Sequence, residues 1–529
     1  MRNAKLVYWL ALGVAMLLGA LALVVRATDG LGVTNLTQIV PWGLWVALYI
    51  YFIGLSAGSF LLSTLIYVGS VKRFEPVGKI AIFTAFVALM AGLLFILLDL
   101  GHMERFWAVF FNRNPNSVLE WEIHFYLLYM VVLVAELWLL MRRDLVRWAE
   151  EKQGWQRTLY GLLTFGSHDV SDKALQDDMR LVKLLGIIGI PVALAVHGGT
   201  GAIFAVVKAR PYWYTGLFPL IFITSALASG GALLTFVAAF FVRLEENVRR
   251  DLVGGLGKLV AALLAVDLVF IASEFLVGIY GAIPDHLATY QTIMFGPFWW
   301  VFWILQLGIG AAIPLILLMN KRTNSNLTWV GLASAMIVIG IVGVRLNIVI
   351  PPLTRPLVEG FDTAYTPYTV AASPSALPAS LDQIFSYVTW AGGLVLLVAI
   401  GALILSAAQK LGAGVGKPVF YAVGAVAVVV LVFLAVRVVG TPGASLAVNG
   451  GGAWQGYADM FTQTDTARQN GLYFPTLIEW LTSAGVIAFC LALFSIGKAL
   501  LPLETKEPSA EDVERARKSP WLASTQVDK

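Results

Sequence analysis

Residues 78 to 99 read GKIAIFTAFVALMAGLLFILLD, an apolar run entered at Lys79 and left at Asp99 with no ionisable side chain between them. About 20 such residues wound as a helix cross the roughly 30 Å of a bilayer's hydrocarbon core. The run therefore predicts a membrane-spanning helix and not a barrel strand, whose signature is alternation over about ten residues. Outward from it the pattern recurs, placing helices near 6 to 25, 41 to 69, 77 to 98, 120 to 141, 184 to 207, 217 to 241, 257 to 281, 298 to 319, 327 to 350, 383 to 407, 418 to 440 and 476 to 500. Twelve spans make this an all-α polytopic membrane protein. With 59% hydrophobic and 13% charged residues among 529, a soluble globule is excluded, because its charged share is near a quarter.

Threading alternate loops to opposite faces gathers Arg2, Lys5, Lys72, Arg73, Lys79, the 142–183 loop, Arg243 to Lys258, Lys321, Arg322, Lys410, Lys417 and the C-terminal tail together. That face holds 27 of the 36 Lys and Arg, so the positive-inside rule puts both termini in the cytoplasm, the membrane being a bacterial inner membrane. Arg2 and Lys5 ahead of an apolar run containing Ala20-Leu21-Ala22 share the outline of a signal peptide. The length of that run and the even helix count favour a retained helix. Cys490 is the single cysteine, so the chain by itself forms no disulfide and no Cys-ligated iron–sulfur cluster.

The sequence is read as one integral membrane domain over 1–529. Leu55-Ser56-Ala57-Gly58-Ser59-Phe60-Leu61-Leu62 parallels Leu227-Ala228-Ser229-Gly230-Gly231-Ala232-Leu233-Leu234, and Gly78-Lys79 parallels Gly257-Lys258. These matches predict a weak duplication of two four-helix bundles, 41–207 and 217–350, although short motifs of small residues also recur by chance. Additional C-terminal helices occupy 383–500, and 502–529 is a polar cytoplasmic tail. The loops 351–382 and 441–475, rich in Pro, Gly, Ser and Tyr, are expected outside as docking surfaces or lids.

Ionisable residues inside apolar spans are costly and mark function by default. Asp99, Glu122, His124, His197, Glu274 and Arg345 come from separate places in the chain, and at about 1.5 Å of rise per residue they converge toward the outer face. Asp267 lies one heptad before Glu274 on nearly the same helix face, predicting an outward pocket with a polar trail running inward. Structural alternatives exist for each: a helix cap at Asp99, a macrodipole partner at Glu122, an ion pair between Glu274 and Arg345, and an interhelical bond at His197. His102, His168 and His286 fall in predicted loops and are read as solvated. His124 and His197 differ by about 6 Å in height, a poor match for a haem. The sequence holds no Gly-rich phosphate loop, zinc spacing or nucleophile elbow, and nucleic acid is not an expected partner.

Several stretches resemble the NrfD/PsrC family of polysulfide-reductase-like membrane subunits. They are Thr34-Asn35-Leu36, Pro41-Trp42-Gly43-Leu44-Trp45, Ile53-Gly54-Leu55-Ser56-Ala57-Gly58, the Asp99 to Trp107 turn, Trp121-Glu122, Val196-His197 and Arg210-Pro211-Tyr212-Trp213. Arg345-Leu346-Asn347-Ile348-Val349-Ile350 and Tyr473-Phe474-Pro475-Thr476 before Glu479-Trp480 resemble the long, HybB-like and alternative-complex-III-like members. The resemblance implies a quinone site (menaquinone or ubiquinone) near the outer face, no haem or iron–sulfur cluster in this chain, and partner subunits. Those partners are a ferredoxin-like iron–sulfur protein and a molybdopterin catalytic subunit or multihaem cytochrome. Carried over by position, it implies Asp99, Glu122, His197 and Arg345 as quinone-lining residues. The His and Asn of the short members' second helix are replaced here by Tyr49 and Trp45, which favours the long-member pocket.

Quinone chemistry moves two protons with two electrons, so carboxylates or a His must reach the ring oxygens. His197 and Asp99 are the expected ring contacts, Glu122 and His124 exchange protons with the outside, Arg345 steadies negative charge, and Glu274 and Asp267 form a proton path. A proton-coupled transporter and a passive anchor for a redox partner are the rival readings.

Overall fold

A chain in hydrocarbon must satisfy its backbone polar groups internally, and the helix does this within one segment. The computed structural model describes residues 2–354 and 473–503 apart from Gln38, Ser70, Arg243 and Leu244. The first half contains α1 (Arg2–Asp29), α2 (Leu44–Tyr67), α3 (Gly78–Asp99), α4 (Ala108–Phe111), α5 (Val118–Glu151), α6 (Trp155–Leu163) and α7 (Asp172–Ala205). After it come α8 (Phe218–Phe240), α9 (Glu246–Gly281), α10 (Pro284–Phe295), a π-helix (Val301–Ala312), α11 (Ile313–Met319), α12 (Lys321–Asn324), α13 (Leu327–Leu353) and α14 (Leu477–Leu500). Ten helical segments among the described residues are long and apolar enough to cross a membrane, the π-helix and α11 counting as one. They coincide with ten of the twelve expected spans. Those at 383–407 and 418–440, with most of both long outer loops and of the tail, lie outside the described residues.

The central helix is α2, which packs on α3, α7, α8 and α13 and is buried along nearly its whole length. Its small residues make this possible. Gly58 crosses α8 at Gly230, its counterpart in the parallel sequence, and a Cβ at Gly58 would collide with the Ala226 carbonyl. Ser59 Oγ donates to the Gly230 carbonyl at 3.3 Å across the same crossing. Close backbone approach of this kind gives apolar helices their packing surface in lipid. At the periphery α1 lies along α14. A capping box starts α14, with Thr476 and Glu479 each bonding the other's backbone N–H.

Two differences from the sequence expectation are informative. The segment 142–183, expected as a loop, is largely helical, because α5 and α7 run on beyond the apolar stretch. Arg142 ties these extensions together, with Nη2 at 2.6 Å from Asp178, Nε donating to it at 2.8 Å, and Nη1 donating to Ser167 Oγ at 2.7 Å and the Asp169 carbonyl at 2.8 Å. Hydropathy marks only the part of a helix that lies in hydrocarbon, so it misses extensions held by charge. The expected span 298–319 is a π-helix over its first part, and its Gly310 backbone lies against Gly340 of α13. π-Helical geometry is rare and mostly confined to single turns inside α-helices.

Candidate functional site

Arg345 sits on α13 at 1% exposure, deep in the helix assembly. Its Nη2 donates to Ser225 Oγ of α8 at 2.9 Å, and its guanidinium stands 4.7 Å over the Phe222 ring. Nε and Nη1 have no hydrogen-bond partner. The acid within its electrostatic reach is Asp267. The ion pair with Glu274 that the sequence allowed does not form, because the Glu274 carboxyl turns toward Thr215 and His286.

His197 of α7, also 1% exposed, approaches the same place. The Phe222 ring lies 5.5 Å away, and the Phe222 carbonyl faces the imidazole without closing a bond of standard geometry, so neither ring nitrogen is satisfied. Gly54 of α2 lets the two groups meet. A Cβ there would stand 3.1 Å from His197 Cε1, 3.2 Å from Nε2 and 3.4 Å from Arg345 Nη2. The missing side chain at position 54 is thus a property of the site as well as of packing.

One turn further along α7, Thr200 donates a short hydrogen bond to Glu122 Oε1 of α5. Tyr126 shares the Thr200 hydroxyl at 3.3 Å, and the Tyr49 hydroxyl faces the same carboxyl. Glu122 Oε2 remains unpartnered at 1% exposure. Beyond Tyr49 stands Asp99, at the end of α3, with a buried and unpartnered Oδ1. Its neighbouring cation is Arg26, which donates to the Leu98 carbonyl at 3.2 Å and the Leu100 carbonyl at 2.5 Å and lies 5.7 Å from the Trp45 ring. The structure therefore joins Asp99, Glu122, His197 and Arg345 through Tyr49, Thr200 and Gly54. His124 stands apart. Its half-buried ring contacts the Glu120 carbonyl at 2.8 Å, beside the Arg113–Glu120 ion pair.

Glu274 and Asp267 belong to a second polar region. Glu274 accepts from Thr215 Oγ1 at 3.4 Å and lies 3.9 Å from His286 Nε2. It borders a cleft of about 420 Å³ lined by Tyr212, Phe275 and the Asn347–Gln306 amide pair, in which Asn347 donates at 2.7 Å. Asp267, accepting from Thr224 at 3.2 Å, borders an adjoining cleft of about 360 Å³ that shares Ile271, Gln306 and Val344 with the first. His286, expected as a solvated loop residue, is instead buried in α10 against Tyr212 and Tyr290, and burial holds its imidazole below the ordinary range.

Arg26, Tyr49, Tyr126, Thr200, Gln306 and Asn347 were not among the expected site residues. In the sequence Arg26 closes an apolar run and reads as a charge of the loop that follows; its contacts with Leu98, Leu100 and Trp45 set it beside Asp99. Hydroxyl and amide side chains carry no charge signal and blend into apolar spans.

Residues 32–356 match the family profile described as polysulphide reductase, NrfD. The chain is 44% identical over 366 residues to a selenate reductase subunit of Mesobacillus selenatarsenatis, covering 68% of this chain and 85% of that protein. It is 29% identical over 354 residues to the Hdr-like menaquinol oxidoreductase integral membrane subunit of Archaeoglobus fulgidus, covering 64% and 80%. Against the menaquinone reductase integral membrane subunit of Nitratidesulfovibrio vulgaris it is 24% identical over 398 residues, covering 72% and 85%.

Proposed function

The chain belongs to the NrfD family, and from that premise we propose that it is the membrane subunit of a respiratory oxidoreductase complex that binds quinone or quinol near the outer face. The observation that carries this reading is the set of buried polar atoms without partners on His197, Arg345, Glu122 and Asp99, all on helices gathered around α2. Each such atom is a standing cost unless a ligand or ordered water supplies its partner. A quinone head group has two oxygens that accept hydrogen bonds as quinone and donate them as quinol, which suits an imidazole and two carboxyl groups. In this reading His197 and Asp99 hold the ring oxygens, Glu122 exchanges protons, and Arg345 steadies negative charge. Bound quinone supplies the two-electron redox chemistry.

Two relatives are named for menaquinol or menaquinone, and a third for selenate reductase, which supports a quinone ligand and a catalytic partner subunit. An iron–sulfur protein is the partner class that would carry the electrons. The two four-helix bundles, 41–207 and 217–350, and cytoplasmic termini belong to the same proposal. Asp267 and Glu274, on the rims of two adjoining clefts that share the Gln306 amide, are its proton path, since carboxyl groups at membrane depth mark proton routes.

Titrating the purified complex with quinol while following electron transfer tests the reading. Saturable turnover that falls in the His197→Ala and Glu122→Gln variants is expected. Quinone binding with no electron exchange in the wild-type complex would leave a passive anchor, and solute flux by the chain alone would leave a transporter.

A further inference from the structure

Glu136 of α5 lies within the apolar stretch, is fully buried, and has no hydrogen-bond partner on either carboxyl oxygen. Neither the expected pocket nor the Asp267–Glu274 path uses it. Counting along α5, Glu122, Tyr126, Tyr129 and Glu136 are spaced by four, three and seven residues, which puts them on one helix face over about 21 Å. All four are at most 1% exposed.

The stripe is hydrogen-bonded into a polar cluster at one end and has a tyrosine of α2 near the other. At the outer end Tyr126 joins the Thr200–Glu122 cluster. One turn inward Tyr129 donates to the Ser56 carbonyl at 3.1 Å and accepts from Ser56 Oγ at 3.2 Å. Glu136 lies within electrostatic reach of Tyr129 and of Tyr67 on α2. Tyr67 has Glu75 as its other acidic neighbour, and its hydroxyl lies against Gly78 at the start of α3, beside the Lys79–Asp144 ion pair at 2.6 Å. Glu75 itself is exposed on the basic face.

A carboxyl group at membrane depth with no partner is expensive to keep, and such groups mark ion and proton routes. Hydroxyls on either side can both donate and accept, as a relay requires. We propose that Glu136 is the buried relay of a proton route through α2 and α5, joining the basic face at Glu75 to the Glu122 carboxyl by way of Tyr67, Tyr129 and Tyr126. The route is distinct from the Asp267–Glu274 path. Its use in turnover rests on the quinone reading, since quinone reduction draws protons and quinol oxidation releases them at Glu122.

The intact complex, reconstituted in lipid, decides the matter by two measurements. Without quinone, the carboxyl C=O stretch that disappears in Glu136→Gln should shift within minutes of transfer to deuterated buffer. A band that does not exchange, or no band assignable to Glu136, overturns the proposal. With quinone, Glu136→Gln should lower turnover about tenfold or more at unchanged KM, and Glu136→Asp should restore part of it. Glu136→Gln turning over at the wild-type rate in an equally stable complex also overturns it. If the wild-type complex shows no quinone turnover, the quinone reading falls, while deuterium exchange still decides whether Glu136 is connected to the surface.

Discussion

The helices on either side of the Gly58–Gly230 crossing bury polar groups in opposite ways. Around α2, α5 and α7, Glu122 is enclosed by the hydroxyls of Thr200, Tyr126 and Tyr49, and the absence of a side chain at Gly54 leaves His197 and Arg345 the space they occupy. Around α9, the π-helix and α13, Glu274 and Asp267 border open clefts beside an amide pair. Similar small-residue segments thus support two different interiors. The first encloses its carboxyl group among hydroxyls, and the second leaves its carboxyl groups at the rims of clefts.

Breaking the shared crossing should have the largest effect. Gly58→Val places its side chain against the α8 backbone, and overpacking of this kind costs about 1–3 kcal/mol or more. Loss of folded protein, read by size-exclusion yield and thermal melting in detergent, is expected. A fully stable variant would show that the two helix groups do not depend on this contact.

Next in size is Arg345→Gln, which removes the charge that meets His197 over Gly54. Quinone turnover should fall roughly 100-fold, a magnitude seen when one preorganised donor is removed, and Arg345→Lys should not restore it because the planar fork is lost. Equal turnover in all three proteins would separate this group from the chemistry.

Neutralising the second region should divide the activities. Asp267→Asn or Glu274→Gln is expected to lower proton translocation, measured with a trapped pH dye, while quinone turnover stays within about threefold, a change of under 1 kcal/mol in barrier. Equal loss of both would instead mean a pocket or structural role.

Gln306→Leu, which leaves Asn347 without its acceptor, should cost about 1–3 kcal/mol in thermal stability. Stability unchanged by this substitution would mean that water in the cleft replaces the amide.

The smallest effect is a pH slope. Burial keeps His286 neutral in the fold to lower pH than in the unfolded chain, where it takes up a proton near pH 6.5. Its contribution is present above about pH 6.5 and lost as pH falls below, by at most about 1.4 kcal/mol per pH unit. Melting temperatures of wild type and His286→Gln between about pH 5 and 7.5 would reveal it. Greater stability on acidification would mean that Glu274, 3.9 Å away, captures the protonated ring.

Much of this was legible in the chain. Length and hydropathy placed the ten described spans, and the small residues around Gly58 and Gly230 marked helix faces able to approach closely, but that these two faces meet each other came only from the structure. Similar heights for Asp99, Glu122, His197 and Arg345 along their helices followed from rise per residue. Less was legible where partners decide. Arg26 looked like a loop charge and is the cation beside Asp99, and His286 looked solvated and is buried against Tyr290. Glu136 is an acid inside an apolar run with no motif around it, and only its complete burial singles it out.

By itself the sequence determined that these helices cross a membrane and the height of each polar group along its own helix, because the cost of hydrocarbon acts on every residue separately and along one axis. Tertiary structure alone decided which groups face one another. Rotation of each helix about its axis is set by packing at a few small residues, and no one-dimensional pattern fixes whether Arg345 turns toward His197 or Glu274.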